Sequence, residues 1–183
     1  SLPNPGFETV EADARPSGWM PFGTAKTALS AETVRNGTRA AQVTDAPAGM
    51  LSGWSTIVPV RPDRAYTFTG FARGGDLAPS GFVGGAALSL EFLDRDGQPV
   101  GPRILSPAVP ARTDWTRIAS RKAQPPPAAR SARLVAGLEF CNGTAWFDDL
   151  GLAIEAAAVT TGATVTREPR PDPDRRYAPN LLA

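Results

Sequence analysis

The chain has 183 residues, 42% of them apolar, with 19 basic and 18 acidic side chains and a net charge of +1. This length suggests one domain with a tail and is enough to bury a core without disulfide support. The balanced charge excludes the basic field that draws proteins to nucleic acid or anionic membranes. There is no histidine and one cysteine, Cys141. The commonest general base, the usual catalytic triads, an internal disulfide and thiolate zinc sites are therefore absent. An enzyme built on this chain would have to work with carboxylates, Tyr, Lys or Arg. No apolar run approaches the ~20 residues of a membrane-spanning helix. The opening at Ser1, with no apolar signal-like run, reads as a mature protein or a module.

Strand signals recur at short intervals along the chain. They begin with RAAQVTD (39–45) and STIVPV (55–60), and RAYTFTGFAR (64–73) follows with Tyr66 and Phe68 alternating against Thr67 and Thr69. In GAALSLEFLD (85–94), Leu88, Leu90 and Phe92 alternate with Ser89 and Glu91, and DRDG (94–97) is a hairpin turn signal. DWTRIAS (114–120) is a further strand, and PPPAAR (125–130) is a rigid connection that no helix or central strand would carry. SARLVAGLEF (131–140) sets Leu134, Ala136, Leu138 and Phe140 against Arg133, Val135, Gly137 and Glu139. Asn142-Gly143 reads as a tight hairpin turn, and TAWFDDLGLAIE (144–155) returns as the last strand.

No amphipathic helix is visible. Period-two patterning with turns at this spacing predicts an all-β antiparallel sandwich of about nine strands. Residues 1–155 form the module. Residues 156–166 could add an edge strand or packing segment. Residues 167–183, rich in Pro, Arg and Asp, have the composition of a linker.

Asp148 and Asp149 interrupt an apolar strand. Consecutive strand residues point to opposite faces, so one carboxylate points inward, where an unpaired charge is costly. It either accepts backbone N–H bonds at the strand end or ligates a metal. DRDG has two EF-hand-like aspartates but lacks the downstream Glu, so the hairpin explains it better. The two sequons, at Asn36 and Asn142, also read as tight turns.

LPNPGFE (2–8), PSGW (16–19), VPVRPDRAYTFTGFAR (58–73), LEFLDRDG (90–97), TDWTRI (113–118) and AWFDDLGL (145–152) occur in an order that resembles the jelly-roll carbohydrate-binding modules of families four, nine and twenty-two. These belong to the galactose-binding-like group. The resemblance covers roughly residues 2–154. It implies a structural calcium ion held by Glu8 and Asp148 with oxygens of the loop around Thr33 and Asn36. Calcium takes several oxygen ligands, and carboxylates with carbonyls suit it.

Sugar recognition needs aromatic faces and planar polar side chains. The resemblance makes Trp54 the first candidate platform and Arg103 a second contact, at a place where some relatives have Tyr. Alternation turns Arg73, Glu91 and Glu139 outward. If their strands are neighbours, these three form a polar floor; otherwise they are ordinary solvated ion pairs. Trp19 and Trp115 read as core and Trp146 as packing. Phe82, in a Gly-rich loop, adds an apolar contact. Cys141 reads as a small partly buried residue.

The expected function is a non-catalytic carbohydrate-binding module of a secreted, multidomain polysaccharide-degrading enzyme. It would be monomeric, with a polysaccharide or oligosaccharide as partner, and would work by effective concentration. APNLLA (178–183) resembles the start of a further module. Two alternatives are a structural or protein-interaction sandwich without a sugar site and an enzyme using Glu91 and Glu139 as paired carboxylates.

Overall fold

A computed structural model describes residues 1–46, 51–80 and 84–157. Phe82 and the segments beyond Ala157 lie outside the described residues, as does the expected strand or linker there. The strands are β1 (Met20–Phe22), β2 (Lys26–Ser30), β3 (Ala40–Ala46), β4 (Ser52–Pro59), β5 (Arg64–Gly74), β6 (Ala78–Pro79), β7 (Gly85–Leu93), β8 (Ile104–Leu105), β9 (Thr113–Ala119), β10 (Ser131–Glu139) and β11 (Cys141–Ala156). No helix occurs among the described residues. The expected long strands are all present. The short β1, β2, β6 and β8 are additions that period-two patterning is too weak to reveal over two to five residues.

The strands form two antiparallel sheets. One runs β1-β4-β10-β7-β8, and the other runs β2-β3-β11-β5-β9 with β6 paired to β11. β10 is the central strand of the first, with Leu134 opposite Thr56 and Leu90. β11 is central to the second, with Phe147 opposite Ala41 and Ala72. The inward sets follow the sequence alternation. Trp54, Leu88, Leu90, Phe92 and Leu134 from one sheet meet Val43, Tyr66, Phe68 and Phe147 from the other. Each such fully buried large side chain contributes on the order of 1.5–3 kcal/mol. Tyr66 and Phe92 make an edge contact at 6.4 Å between ring centroids. The N-terminal segment closes one end: Phe7 and Trp19 are buried rings 5.2 Å apart, and the Trp19 indole donates to the Pro3 carbonyl at 3.1 Å.

Asn142-Gly143 is not the expected hairpin turn. β10 and β11 belong to different sheets, and the single residue Phe140 joins them with φ at 44°. A positive φ at a non-glycine residue is uncommon, and here it turns the chain from one layer to the other. Gly143 lies within β11, where the register against β3 shifts between Cys141 and Thr144. The DRDG turn is as expected: the Asp94 side chain accepts N–H bonds from Asp96 and Gln98, both at 2.9 Å.

Candidate functional site

The outer face of the five-stranded sheet is not an ordinary solvated surface. Its rows can be read across the strands. Phe22 lies beside Gly53, Gly137 and Ala87 in turn. The next row runs Met20, Ser55, Val135, Ser89 and Leu105. The next is Ile57, Arg133 and Glu91. The floor is kept low by small residues, and a Cβ on Gly53 would lie 2.6 Å from the Gly137 Cα. The larger side chains of β1 and β8 rise at the two edges. Phe22 and Leu105 lean over the centre and, with Leu51, Ala87 and Val135, form a second apolar cluster on this face.

Within this cup lies a cavity of about 190 Å³ lined by Phe22, Ser89, Glu91, Pro99, Arg103, Arg133 and Val135. That is smaller than the ~300–1,000 Å³ of drug-sized pockets, so it suits a single ring. Arg133 donates to Glu91 at 2.8 Å and its guanidinium sits 5.1 Å from the Phe22 ring centre. Arg103 donates to Glu139 at 2.9 Å. Both pairs are about four-fifths buried, at 23%/19% and 23%/16% side-chain exposure. Each guanidinium has five N–H donors and each carboxylate about four acceptor positions, so both pairs retain capacity for a ligand. Ser89 lines the cavity, and its hydroxyl makes no hydrogen bond among the described residues, so it is open to a ligand or water there.

Glu91 and Arg103 line one cavity, and Arg103 reaches Glu139, but Glu139 lies six residues along β10 from Glu91's partner Arg133 and does not line it, so the expected floor of Arg73, Glu91 and Glu139 does not form. Arg73 does not join them. Its strand, β5, is in the other sheet, where Arg73 lies opposite Trp146. Alternation assigns a face but not a sheet. Trp54 is also corrected: it is 3% exposed, belongs to the core and donates its indole N–H to the Ala28 carbonyl at 3.3 Å. No face of it is offered to a sugar. Trp115, expected in the core, is half-buried on edge strand β9. Trp146 is half-buried, and its indole N–H is a buried donor without a partner. Phe22, Ser89 and Arg133 were missed. The outward alternation of 133–139 and 89–91 contained the last two, but Phe22 sits in a three-residue strand with no periodic signal.

Glu8 and Asp148 meet the same loop, residues 35–39, as the resemblance implied, but the loop turns N–H groups toward them. Asp148 is fully buried; its Oδ2 accepts from the Arg35 and Asn36 amides at 3.0 and 3.1 Å, and its Oδ1 from Asp149 at 2.7 Å. Glu8 accepts from the Thr38 and Arg39 amides at 2.9 and 3.1 Å and from the Thr38 hydroxyl at 2.5 Å. Gly37 closes the loop at φ 74°, and a Cβ there would lie 2.3 Å from Glu8 Oε1. Thr33 donates its amide to Ser30, and the Asn36 side-chain oxygen accepts from Gly37. Arg35 pairs with Asp149 and lies over the Phe71 ring, 3.5 Å from its centre. The Thr38 hydroxyl and loop amides hold the Glu8 carboxyl below its ordinary range. Burial pushes Asp148 up, with the amide bonds opposing. Calcium requires about six to eight oxygen ligands. These carboxylate oxygens already accept from N–H and O–H donors, and no group of three acidic, His or Cys side chains able to hold a metal occurs among the described residues. The residues as arranged do not fit the ion, and no step below depends on it. They form a clasp between the N-terminus, one loop and β11.

Neither a family model nor a curated protein matches the sequence. Solved structures match the fold. The CBM22-1 xylan-binding domain from Paenibacillus barcinonensis Xyn10C aligns with TM-score 0.57 and 16% identity, over 84% of this chain and 93% of that one. The chain shares the jelly-roll β-sandwich fold of that domain. The enzymatically active domain of tailspike protein 4 from bacteriophage CBA120 aligns with TM-score 0.63 and 16% identity, over 85% of this chain but only 21% of the tailspike. A cyclase from Fischerella sp. TAU, solved with 4-(1H-indol-3-yl)butan-2-one, aligns with TM-score 0.56 and 17% identity, over 86% and 97%. The same jelly roll is thus found in a xylan-binding domain and in a cyclase, and function must be read from the site.

Proposed function

We propose that this chain is a non-catalytic glycan-binding module and that the cup on the five-stranded sheet is its ligand site. One observation carries the reading: a ring-sized cavity lined together by the Ser89 hydroxyl, the Arg133–Glu91 pair, the Arg103 guanidinium and the Phe22 ring. Those are the groups that hydroxyl-rich rings require, since planar side chains direct hydrogen bonds and Phe22 supplies an apolar surface. The jelly-roll fold shared with a xylan-binding domain supports it. Glu91 and Glu139 are each held by an arginine, which suits them to accepting from ligand hydroxyls more than to proton transfer.

In this reading the module belongs to a secreted, multidomain polysaccharide-acting protein, and it concentrates its neighbours on their substrate. The test is affinity electrophoresis through gels containing xylan and other polysaccharides, with Ser89→Leu as the variant that fills the cavity. Retention by the parent chain and its loss in Ser89→Leu at an unchanged melting temperature support the site. Absence of retention on every glycan would instead make the chain a structural sandwich.

A further inference from the structure

A groove of about 460 Å³ runs along the side of the sandwich, lined by Pro102 to Leu105 on one wall and by Arg121 and Lys122 on the other. β8 and β9 are the edge strands of the two sheets, so the groove lies where the layers stand open. Arg103 lines both this groove and the cup, and the two hollows share that side chain as a wall.

The groove is cationic. Three of its lining residues are basic and none is acidic. Arg103 spends one N–H on Glu139, and Lys122 reaches Glu155 at 2.6 Å from a side chain that is 57% exposed. Arg121 is exposed, and its guanidinium has no partner among the described residues. A guanidinium offers a planar fork of donors that matches a carboxylate or another oxyanion, while an ammonium adds a point charge. A neutral sugar chain leaves the Arg121 charge unanswered.

We propose that the ligand is an anionic polysaccharide, carrying carboxylate or sulfate groups, with one ring in the cup and a charged substituent of the adjoining chain in the groove against Arg103, Arg121 and Lys122. This rests on the glycan-binding reading of the cup. Exposed charge pairs contribute modestly and are screened by salt. The groove therefore ranks glycans that the cup already holds and is not a separate site.

The experiment is affinity electrophoresis of the full chain through gels of equal polymer mass containing a neutral arabinoxylan, a polyuronate or a sulfated galactan, at low and high salt. Retention is expected to be roughly five- to tenfold stronger on one of the anionic polymers and to lose that margin at high salt. The favoured polymer identifies the group. Arg121→Glu combined with Lys122→Glu should abolish the margin, leaving neutral-glycan retention and the melting temperature unchanged. Equal or stronger retention on the neutral polymer overturns the proposal while the glycan-binding reading stands. Anionic retention that survives in Ser89→Leu, or in the double charge reversal, overturns it as well. Failure to bind any polymer overturns both.

Discussion

The molecule uses carboxylates in two contrasting ways. In the clasp, Glu8 and Asp148 accept bonds chiefly from backbone amides of residues 35–39 and 149. In the cup, Glu91 and Glu139 accept bonds from arginine side chains. Amides are fixed by the fold, and a carboxylate bound to them cannot let go without opening a loop. Guanidinium partners sit on rotatable stems and have donors to spare. The first arrangement ties segments together. The second leaves a surface able to reorganise around a ligand.

The strongest way to sharpen this contrast is Asp148→Ala. It leaves the Arg35, Asn36 and Asp149 amides without their acceptor around a buried side chain and should cost about 3 kcal/mol or more. Chemical denaturation reads it directly, and a loss below about 1 kcal/mol would show that the clasp is not structural. Next comes Arg103→Ala. Retention on the favoured glycan should fall about tenfold, while stability drops by only about 1–2 kcal/mol, less than in Asp148→Ala, because its largely but not fully buried pair with Glu139 still has some access to solvent. A large stability loss with intact binding would reverse the roles assigned to cup and clasp.

Acid should divide the two clasp carboxylates. Glu8 has a lowered folded pKa, so its stabilisation is present above the ordinary Glu value of about 4.3 and disappears as pH falls through its folded value. Asp148 has a raised folded pKa, so the folded state holds its proton more tightly; that contribution is present below the ordinary Asp value of about 3.9 and is lost as pH rises through the folded value. The two slopes oppose each other. In Glu8→Gln the melting temperature should therefore fall less between about pH 5 and pH 3 than in the parent chain. The effect is modest because Glu8 is largely exposed. A steeper fall would contradict the assignment. The smallest expected effect is that of chelation. With carboxylates already held by amides, adding calcium or a chelator should move the melting temperature by less than about one degree. A larger rise with calcium would show that the loop inverts to offer carbonyls.

Much of the sandwich was legible from residues. Leu88, Leu90 and Phe92 point inward, Ser89 and Glu91 outward, and the structure agrees because period-two burial is a local property of a strand. The order of strands within the sheets is not local. For that reason Arg73 was grouped with Glu91 and Glu139, although β5 lies in the opposite layer. Trp54 failed for another reason. In SGWSTIVP its neighbours on either side are Gly53 and Ser55, so nothing in the strand says which face is apolar until Trp54, Thr56 and Val58 are seen in register with Ala136, Leu134 and Ala132 on the buried side of the sheet. At the clasp, the aspartate pair announced a buried carboxylate, but sequence does not reveal whether a loop presents its N–H or its C=O groups.

Phe140 links the middle strand of one layer to the middle strand of the other. During synthesis, every other long strand leaves the ribosome before either of its sheets has a centre to add to. β4 and β7 flank a gap that β10 fills, and β3 and β5 flank one that β11 fills. Both layers, and with them the cup and the clasp, must close together once residues 131–156 have emerged. Until then the nascent chain carries unpaired strand edges, the condition in which β-proteins are most exposed to aggregation and chaperone capture.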